Sequence, residues 1–96
     1  MIICKAKLVE ILLALDRQQM TFNELKKELG ISPATLTRRI SEMEKYHIIL
    51  PVISKEKRKK IEYVLTEKGK RLIPTIKEII NLSRQIDMEF FKSEEK

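Results

Sequence analysis

Residues 21–46, with the sequence TFNELKKELGISPATLTRRISEMEKY, carry the signals for two short helices joined by a tight turn. Thr21 and Glu24 have the spacing of a capping box, in which the threonine hydroxyl and the glutamate carboxylate each accept a hydrogen bond from a free backbone N–H. Gly30 is placed to end the first helix, because glycine adopts the left-handed conformation at little cost. The stretch therefore predicts one helix that starts just after Thr21 and stops at Gly30.

A second helix is predicted over residues 33–46, with Ser32 as its cap and Pro33 at its first position. Apolar residues at steps of three and four place one side of this helix in the core: Leu36, Ile40 and Met43. The other side carries small, hydroxyl and basic side chains: Ala34, Thr35, Thr37, Arg38, Ser41 and Lys45, with Arg39 nearer the core side. Such a surface fits the major groove of DNA, where arginine pairs with guanine and hydroxyl groups reach base edges or phosphates. An ordinary amphipathic surface helix with solvated charges is the alternative.

Two β-strands joined by a basic loop are predicted directly after this helix. Residues 48–53 are apolar and β-branched, with Pro51 restricting them to an edge strand or a bend, and residues 60–66 alternate between two faces. The loop between them, SKEKRKK at residues 54–60, contains five basic residues: Lys55, Lys57, Arg58, Lys59 and Lys60. A run of charge alone is usually solvated surface. Next to a candidate recognition helix it indicates a β-hairpin wing that lies on phosphates or in the minor groove.

The composition favours a small nucleic-acid-binding protein. The chain has 96 residues and a net charge of +6, of which +5 falls before residue 67. With one cysteine and one histidine it has no internal disulfide and no Cys or His metal cluster, and we expect no cofactor. No nucleophile, base and orienting group have a known catalytic spacing, so an enzyme is not expected. No apolar run has the length of a membrane span, so the predicted location is the cytoplasm.

The two ends of the chain are predicted to be helical and to form a dimer. An amphipathic first helix is expected over residues 2–15, mainly as core, and a last helix over about residues 67–93, capped by Thr66 and broken or kinked near Pro74. The last helix carries a heptad-like seam that is the candidate dimer contact: Leu72, Ile76, Ile79, Ile86 and Phe90. Packing of this seam on the first helix within one chain is the alternative, and the two can coexist. Cys4 is either a small packing residue or an oxidant sensor.

Two stretches, FNELKKELGISPATLTRRISEMEKYHII and IEYVLTEKGKRLIPTI, resemble the HxlR-type family of winged helix-turn-helix regulators. The resemblance covers roughly residues 21–79, and the MarR, PadR and ArsR groups share the fold and the tyrosine-x-leucine-threonine strand end. It implies a homodimer that binds pseudo-palindromic DNA. Some HxlR-type regulators sense oxidants or aldehydes through an N-terminal cysteine. This chain lacks the glycine-lysine-tryptophan segment usual in the first helix, so that role is not carried over to Cys4.

The sequence thus predicts an α+β fold, mostly α, of the winged helix-turn-helix class, as one domain over residues 1–96 that dimerises through its terminal helices. The predicted function is sequence-specific binding of double-stranded DNA by a homodimeric transcriptional repressor. The predicted DNA contacts are Ser32, Pro33, Ala34, Thr35, Thr37, Arg38, Arg39, Ser41, Lys55, Lys57, Arg58, Lys59 and Lys60. A non-specific architectural DNA-binding protein and a winged-helix protein-docking module are the alternatives. A small-molecule or redox effector is compatible with the sequence, but no residue pattern supports one.

Overall fold

The structure, a computed structural model, describes residues 7–56 and 58–94, the last five of these as backbone only. In these residues the chain forms four α-helices and three short β-strands. Their order is α1 (Leu8–Arg17), β1 (Met20–Thr21), α2 (Phe22–Leu29), α3 (Pro33–Lys45), β2 (Ile49–Ile53), β3 (Ile61–Leu65) and α4 (Glu67–Glu94). This is the predicted winged helix-turn-helix arrangement, mostly helical with a small antiparallel sheet.

Helix α2 has the predicted capping box at its start. The Oγ1 atom of Thr21 accepts a hydrogen bond from the N–H of Glu24 at 3.2 Å, and the N–H of Thr21 donates to Oε1 of Glu24 at 2.9 Å. The helix ends at Gly30, which has a φ of 62° and the left-handed conformation expected for it. Both ends of α2 are therefore determined by residues within or next to the helix itself.

Helix α3 starts as predicted and ends one residue earlier than predicted. The Oγ atom of Ser32 accepts from the N–H of Thr35 at 3.3 Å, and Pro33 is the first helical residue. The last helical residue is Lys45, and Tyr46 is the cap. His47 has a φ of 59° and occupies the position after the helix where glycine or asparagine is common.

The sheet has three strands in the order β1-β3-β2, all antiparallel. The pair β2 and β3 is the predicted hairpin, with Ile49 opposite Leu65 at one end and Ile53 opposite Ile61 at the loop end. The sequence does not predict strand β1. A two-residue strand has no alternation to recognise, and it is a strand only because β3 pairs with it.

One hydrophobic core joins these elements. Its buried apolar residues come from every helix, from all three strands and from two of the connections: Leu8, Ile11, Leu12, Ala14, Leu15, Met20, Leu25, Ile31, Leu36, Ile40, Met43, Ile48, Ile49, Leu65, Ile73 and Ile76. The predicted first helix contributes to this core as expected but begins at Leu8 in the described residues. Residues 1–6, and with them Cys4, lie outside the described residues.

Helix α4 is not broken at Pro74 but continues through it to Glu94. Its first half packs on the core, and Ile76 is only 5% exposed there. The placement of Ile76 in an intersubunit seam is therefore corrected, because Ile76 belongs to the hydrophobic core of its own chain. Beyond Ile80 every described side chain is exposed, and the protomer extends to 57 Å against 26 and 24 Å in the other directions. The side chain of Phe90 lies outside the described part.

No helix in the described residues is both long and apolar enough to cross a membrane.

Candidate DNA-binding surface

The buried and exposed sides of α3 divide as its sequence predicts. Leu36, Ile40 and Met43 are buried in the core, and Thr35 is half-buried with its hydroxyl accepting from the Ser32 hydroxyl at 3.0 Å. The exposed residues at the start and along the outer side are Ser32, Pro33, Ala34, Thr37, Arg38, Ser41 and Lys45. The helix therefore presents a continuous surface of small, hydroxyl and basic side chains, with no large apolar residue between them.

Arg39 is not part of that exposed surface. Its side chain is 9% exposed, and its Nη1 atom lies 2.8 Å from both carboxylate oxygens of Glu42. The prediction of Arg39 as a phosphate contact is therefore corrected, because the guanidinium is turned toward the protein and bonded there. Arg39 lies three residues after Leu36, at the edge of the buried side, so the helical wheel alone could not decide its environment.

The wing loop is held by two backbone hydrogen bonds. The N–H of Ser54 donates to the carbonyl of Lys60 at 2.8 Å, and the N–H of Lys59 donates to the carbonyl of Ser54 at 3.2 Å. Lys55, Arg58, Lys59 and Lys60 are exposed, whereas Lys57 lies outside the described residues. The loop therefore holds its described cations in solvent at the end of the hairpin.

Two consecutive residues of this loop have an unusual backbone conformation. Arg58 has a φ of 51° and Lys59 a φ of 62°, both in the left-handed region that favours glycine. For a residue with a Cβ this conformation costs roughly 1–2 kcal/mol. The loop thus keeps two long cationic side chains where glycine or asparagine would be less strained.

An exposed apolar pair lies at the base of the basic loop. Ile53 and Ile61 are opposite each other in β2 and β3 and are 70% and 54% exposed. No sequence pattern singles out this pair, although pairing two strands across a loop of known length places the two residues together. They add an apolar contact surface to a wing that is otherwise cationic.

An open cleft of about 410 Å³ separates the wing from the start of α2. Its lining mixes the cations Arg58 and Lys60 with the carboxylates of Glu24 and Glu56. It is therefore not a simple anion pocket. In the described ranges no three His, Cys, Asp or Glu side chains come together as a group that could hold a metal ion.

The fold and this surface define the class of winged helix-turn-helix DNA-binding proteins. Within that class, the chain belongs to the HxlR-like helix-turn-helix family, which it matches over residues 2–90. A relative in Halalkalibacterium halodurans, an uncharacterized HTH-type transcriptional regulator, is 33% identical over 76 residues, which are 78% of this chain and 67% of the relative. Membership of this family supports the function of a DNA-binding regulator.

Solved structures of regulators have the same fold. The reduced form of the transcriptional regulator YodB from B. subtilis superposes with a TM-score of 0.77 at 28% identity, covering 84% of this chain and 80% of YodB. The adhesin competence repressor AdcR from Streptococcus pyogenes gives a TM-score of 0.74 at 20% identity and covers 93% of this chain. The chain spans 66% of the AdcR chain and 57% of that of ZitR from Lactococcus lactis, so those proteins are longer.

Proposed function

We propose that this chain is a homodimeric, sequence-specific repressor that binds double-stranded DNA with α3 in the major groove and the wing on the adjacent backbone or minor groove. The observation that carries the proposal is the division of α3, with its apolar side buried and its hydroxyl and basic side exposed. Arg38 is exposed near the middle of that outer side. We assign it base recognition, because an arginine in the major groove can bond O6 and N7 of guanine together.

The wing supplies the sequence-independent part of the affinity. Its exposed cations Lys55, Arg58, Lys59 and Lys60 are suited to phosphate oxygens, and Lys57 belongs to the same run. If each subunit neutralises about four phosphates, the logarithm of the binding constant of a dimer falls with the logarithm of salt concentration at a slope of roughly −7. Arg39 is left out of the proposed contacts because it is bonded to Glu42.

The distal part of α4 supports the homodimer. Ile79, Leu82, Ile86 and Met88 are large apolar residues that the protomer leaves exposed on this helix. A single helix that extends into water with apolar side chains is unfavourable, and a second copy of the same helix would cover Ile79, Leu82 and Ile86, which share one side of it. The proposed seam therefore starts at Ile79 and excludes Ile76 and also Leu72, which is partly buried against the core of its own chain.

We propose repression rather than activation because a dimer bound at a promoter blocks transcription without any further contact. Activation requires a surface that engages polymerase, and neither the sequence nor the described residues identify one. A reporter gene behind the selected operator tests this directly: repression predicts that its expression rises when the regulator is deleted.

The test of DNA recognition is selection of bound duplexes from a random pool, by the full chain and by Arg38→Ala. We expect the wild type to enrich a pseudo-palindrome and Arg38→Ala to relax one position of each half-site, at a cost of about 1–3 kcal/mol. Arg84→Ala is the matched control, since Arg84 is exposed on α4 and its loss removes the same charge.

Binding without enrichment would favour a non-specific architectural protein, which uses the same surface without base readout. A wild-type chain that does not bind duplex DNA at low salt would favour a protein-docking module. Equal relaxation by Arg38→Ala and Arg84→Ala would contradict the assignment of base recognition to Arg38.

A further inference from the structure

The end of α3 is hydrogen-bonded directly to the first turn of α4. The N–H of Thr66 donates to the carbonyl of Ile48 at 3.0 Å, and Oγ1 of Thr66 lies 2.6 Å from the His47 carbonyl and 3.1 Å from that of Ile48. A hydroxyl has one proton, so Thr66 donates mainly to the nearer carbonyl, that of His47. The same oxygen accepts from the N–H of Gly69 at 3.0 Å and so caps α4. One threonine thus connects the residues that follow α3 with the start of α4.

Two neighbours of Thr66 strengthen this connection. The Nζ atom of Lys68 donates to the carbonyl of Tyr46, the cap residue of α3, at 2.8 Å. Gly69 packs so closely that a Cβ atom at this position would lie 2.3 Å from the carbonyl oxygen of Ile48. Any residue other than glycine would push the first turn of α4 away from that carbonyl. The sequence alone does not reveal this role of Gly69, because a contact across 21 positions of the chain leaves no local pattern.

The orientation fixed at this junction extends along the whole of α4. The helix runs without interruption from Glu67 to Glu94, a length of about 42 Å at 1.5 Å per residue. Its far part carries the exposed apolar residues, including Leu82 and Ile86. A small rotation of the first turn relative to α3 therefore moves the distal segment by a much larger distance.

We propose that Thr66, Lys68 and Gly69 are positioning residues that set the angle between α3 and the distal part of α4, and through it the spacing of the two DNA half-sites. The inference rests on the proposed function, in which distal α4 segments form the homodimer. In that dimer the distance between the two α3 helices depends on this angle in each subunit. Half-site spacing follows the distance between recognition helices in dimeric helix-turn-helix proteins. The junction thus determines which operators fit, without touching a base.

The test compares binding of the full chain to duplexes that carry two selected half-sites with spacers varied one base pair at a time, and to a duplex with a single half-site. Thr66→Val keeps the shape and removes the hydroxyl. We expect this variant to bind the single half-site as the wild type does. Its ratio of affinities for the best spacer and for the other spacers should fall by roughly fivefold, the loss expected from one cap hydrogen bond. Gly69→Ala is expected to shift the preferred spacer.

Two controls separate positioning from stability. Thr66→Ser retains the hydroxyl and is expected to keep the wild-type spacer profile. Ile11→Val removes a buried methylene of α1 that takes no part in the junction hydrogen bonds, and it is expected to lower the unfolding temperature with no change in that profile. Because Lys68 is exposed, Lys68→Gln keeps the fold and tests the proposal even where Thr66→Val does not fold.

An unchanged spacer profile in Thr66→Val, Gly69→Ala and Lys68→Gln would overturn the inference while leaving the homodimer proposal intact. A wild-type chain that binds all spacers equally would instead contradict the dimeric function itself. A changed profile in the junction variants, with Thr66→Ser and Ile11→Val unchanged, supports the positioning role.

Discussion

Arg38 and Arg39 are adjacent in the sequence but have opposite environments. Arg38 is exposed on the outer side of α3, whereas Arg39 is nearly buried and bonded to both oxygens of Glu42. Removing one member of such a pair leaves the other with unsatisfied hydrogen-bonding capacity in a partly dry environment. Arg38 is therefore the residue proposed for DNA recognition, whereas its neighbour Arg39 contributes to the stability of the fold.

For Arg39→Ala we expect the free energy of unfolding to fall by roughly 1–3 kcal/mol, because the nearly buried guanidinium and its two bonds to the Glu42 carboxylate are lost. The salt dependence of DNA binding should stay the same, since Arg39 is not proposed to contact phosphate. Chemical denaturation at one fixed protein concentration measures the first quantity and salt titration of binding the second. The double variant Arg39→Met with Glu42→Met should recover part of the lost stability. If the DNA binding of Arg39→Ala depended less steeply on salt concentration than that of the wild type, Arg39 would be a phosphate contact after all.

Tyr63 gives the protein a dependence on pH in the alkaline range. Burial, and next the negative charge of Glu44, raise the pKa of this phenol above its ordinary value of 10.0. The folded state holds the phenolic proton more tightly than the unfolded state, so this contribution to stability is present below pH 10.0 and is lost as pH rises through the higher folded pKa. We expect stability above pH 10 to fall more steeply in the wild type than in Tyr63→Phe. Parallel curves for the two proteins would contradict this.

At the scale of elements, the wing contains a residue that is unfavourable for folding but is proposed to favour DNA binding. Lys59 is held in the left-handed conformation that a glycine would adopt with less strain. We expect Lys59→Gly to raise the free energy of unfolding by roughly 0.5–1 kcal/mol, because the relief of strain exceeds the extra freedom of the unfolded chain. The same change should weaken DNA binding and reduce the salt slope by about two for a dimer, one for each lost phosphate contact.

Lys59→Gln is the matched control for this change. It removes the charge but keeps a side chain in the strained conformation, so binding should fall equally while stability does not rise. If both variants have the same stability, the positive φ of Lys59 is not a source of strain.

The helix ends were predictable from sequence because their determinants are local. The capping box of α2, the left-handed Gly30 and the Ser32-Pro33 start of α3 each involve residues within four positions of one another. What could not be predicted depends on distant partners. Strand β1 exists because β3 lies beside it, and the heptad pattern of α4 could not tell whether Ile76 faces its own core or a second chain. Periodicity determines which side of a helix is apolar but not what covers that side.

For the molecule as a whole, the distal part of α4 is the proposed determinant of the oligomeric state. Beyond Ile80 every described side chain of this segment is exposed, and isolated helices of this length are marginal in water. Ile86, which is 63% exposed, lies in the middle of it. The proposed homodimer therefore stabilises the segment and covers its apolar side in one step.

For Ile86→Glu we expect dissociation into protomers, because two carboxylates would face each other across the seam. Sedimentation measures the mass, and the salt slope of DNA binding should fall to roughly half of −7, as one subunit neutralises about four phosphates. Ile53→Glu is the matched control, since Ile53 is equally exposed but lies on the wing. It should weaken DNA binding and leave the mass unchanged. A dimer in Ile86→Glu would place the subunit contact elsewhere.

Thr21 belongs to two elements at once, and this limits how the protein can be recombined with its relatives. Its backbone lies opposite Glu62 in the sheet that carries the wing, while its hydroxyl caps α2. The wing and the helices α2 and α3 therefore cannot be exchanged independently of each other between relatives. A chimaera joined within residues 54–60 exchanges only the loop. If the complete hairpin is exchanged, the exchanged segment must extend back to Met20 so that β1 is kept with its partner strand β3. Designers who wish to transplant the wing should treat residues 20–65 as the smallest transferable unit.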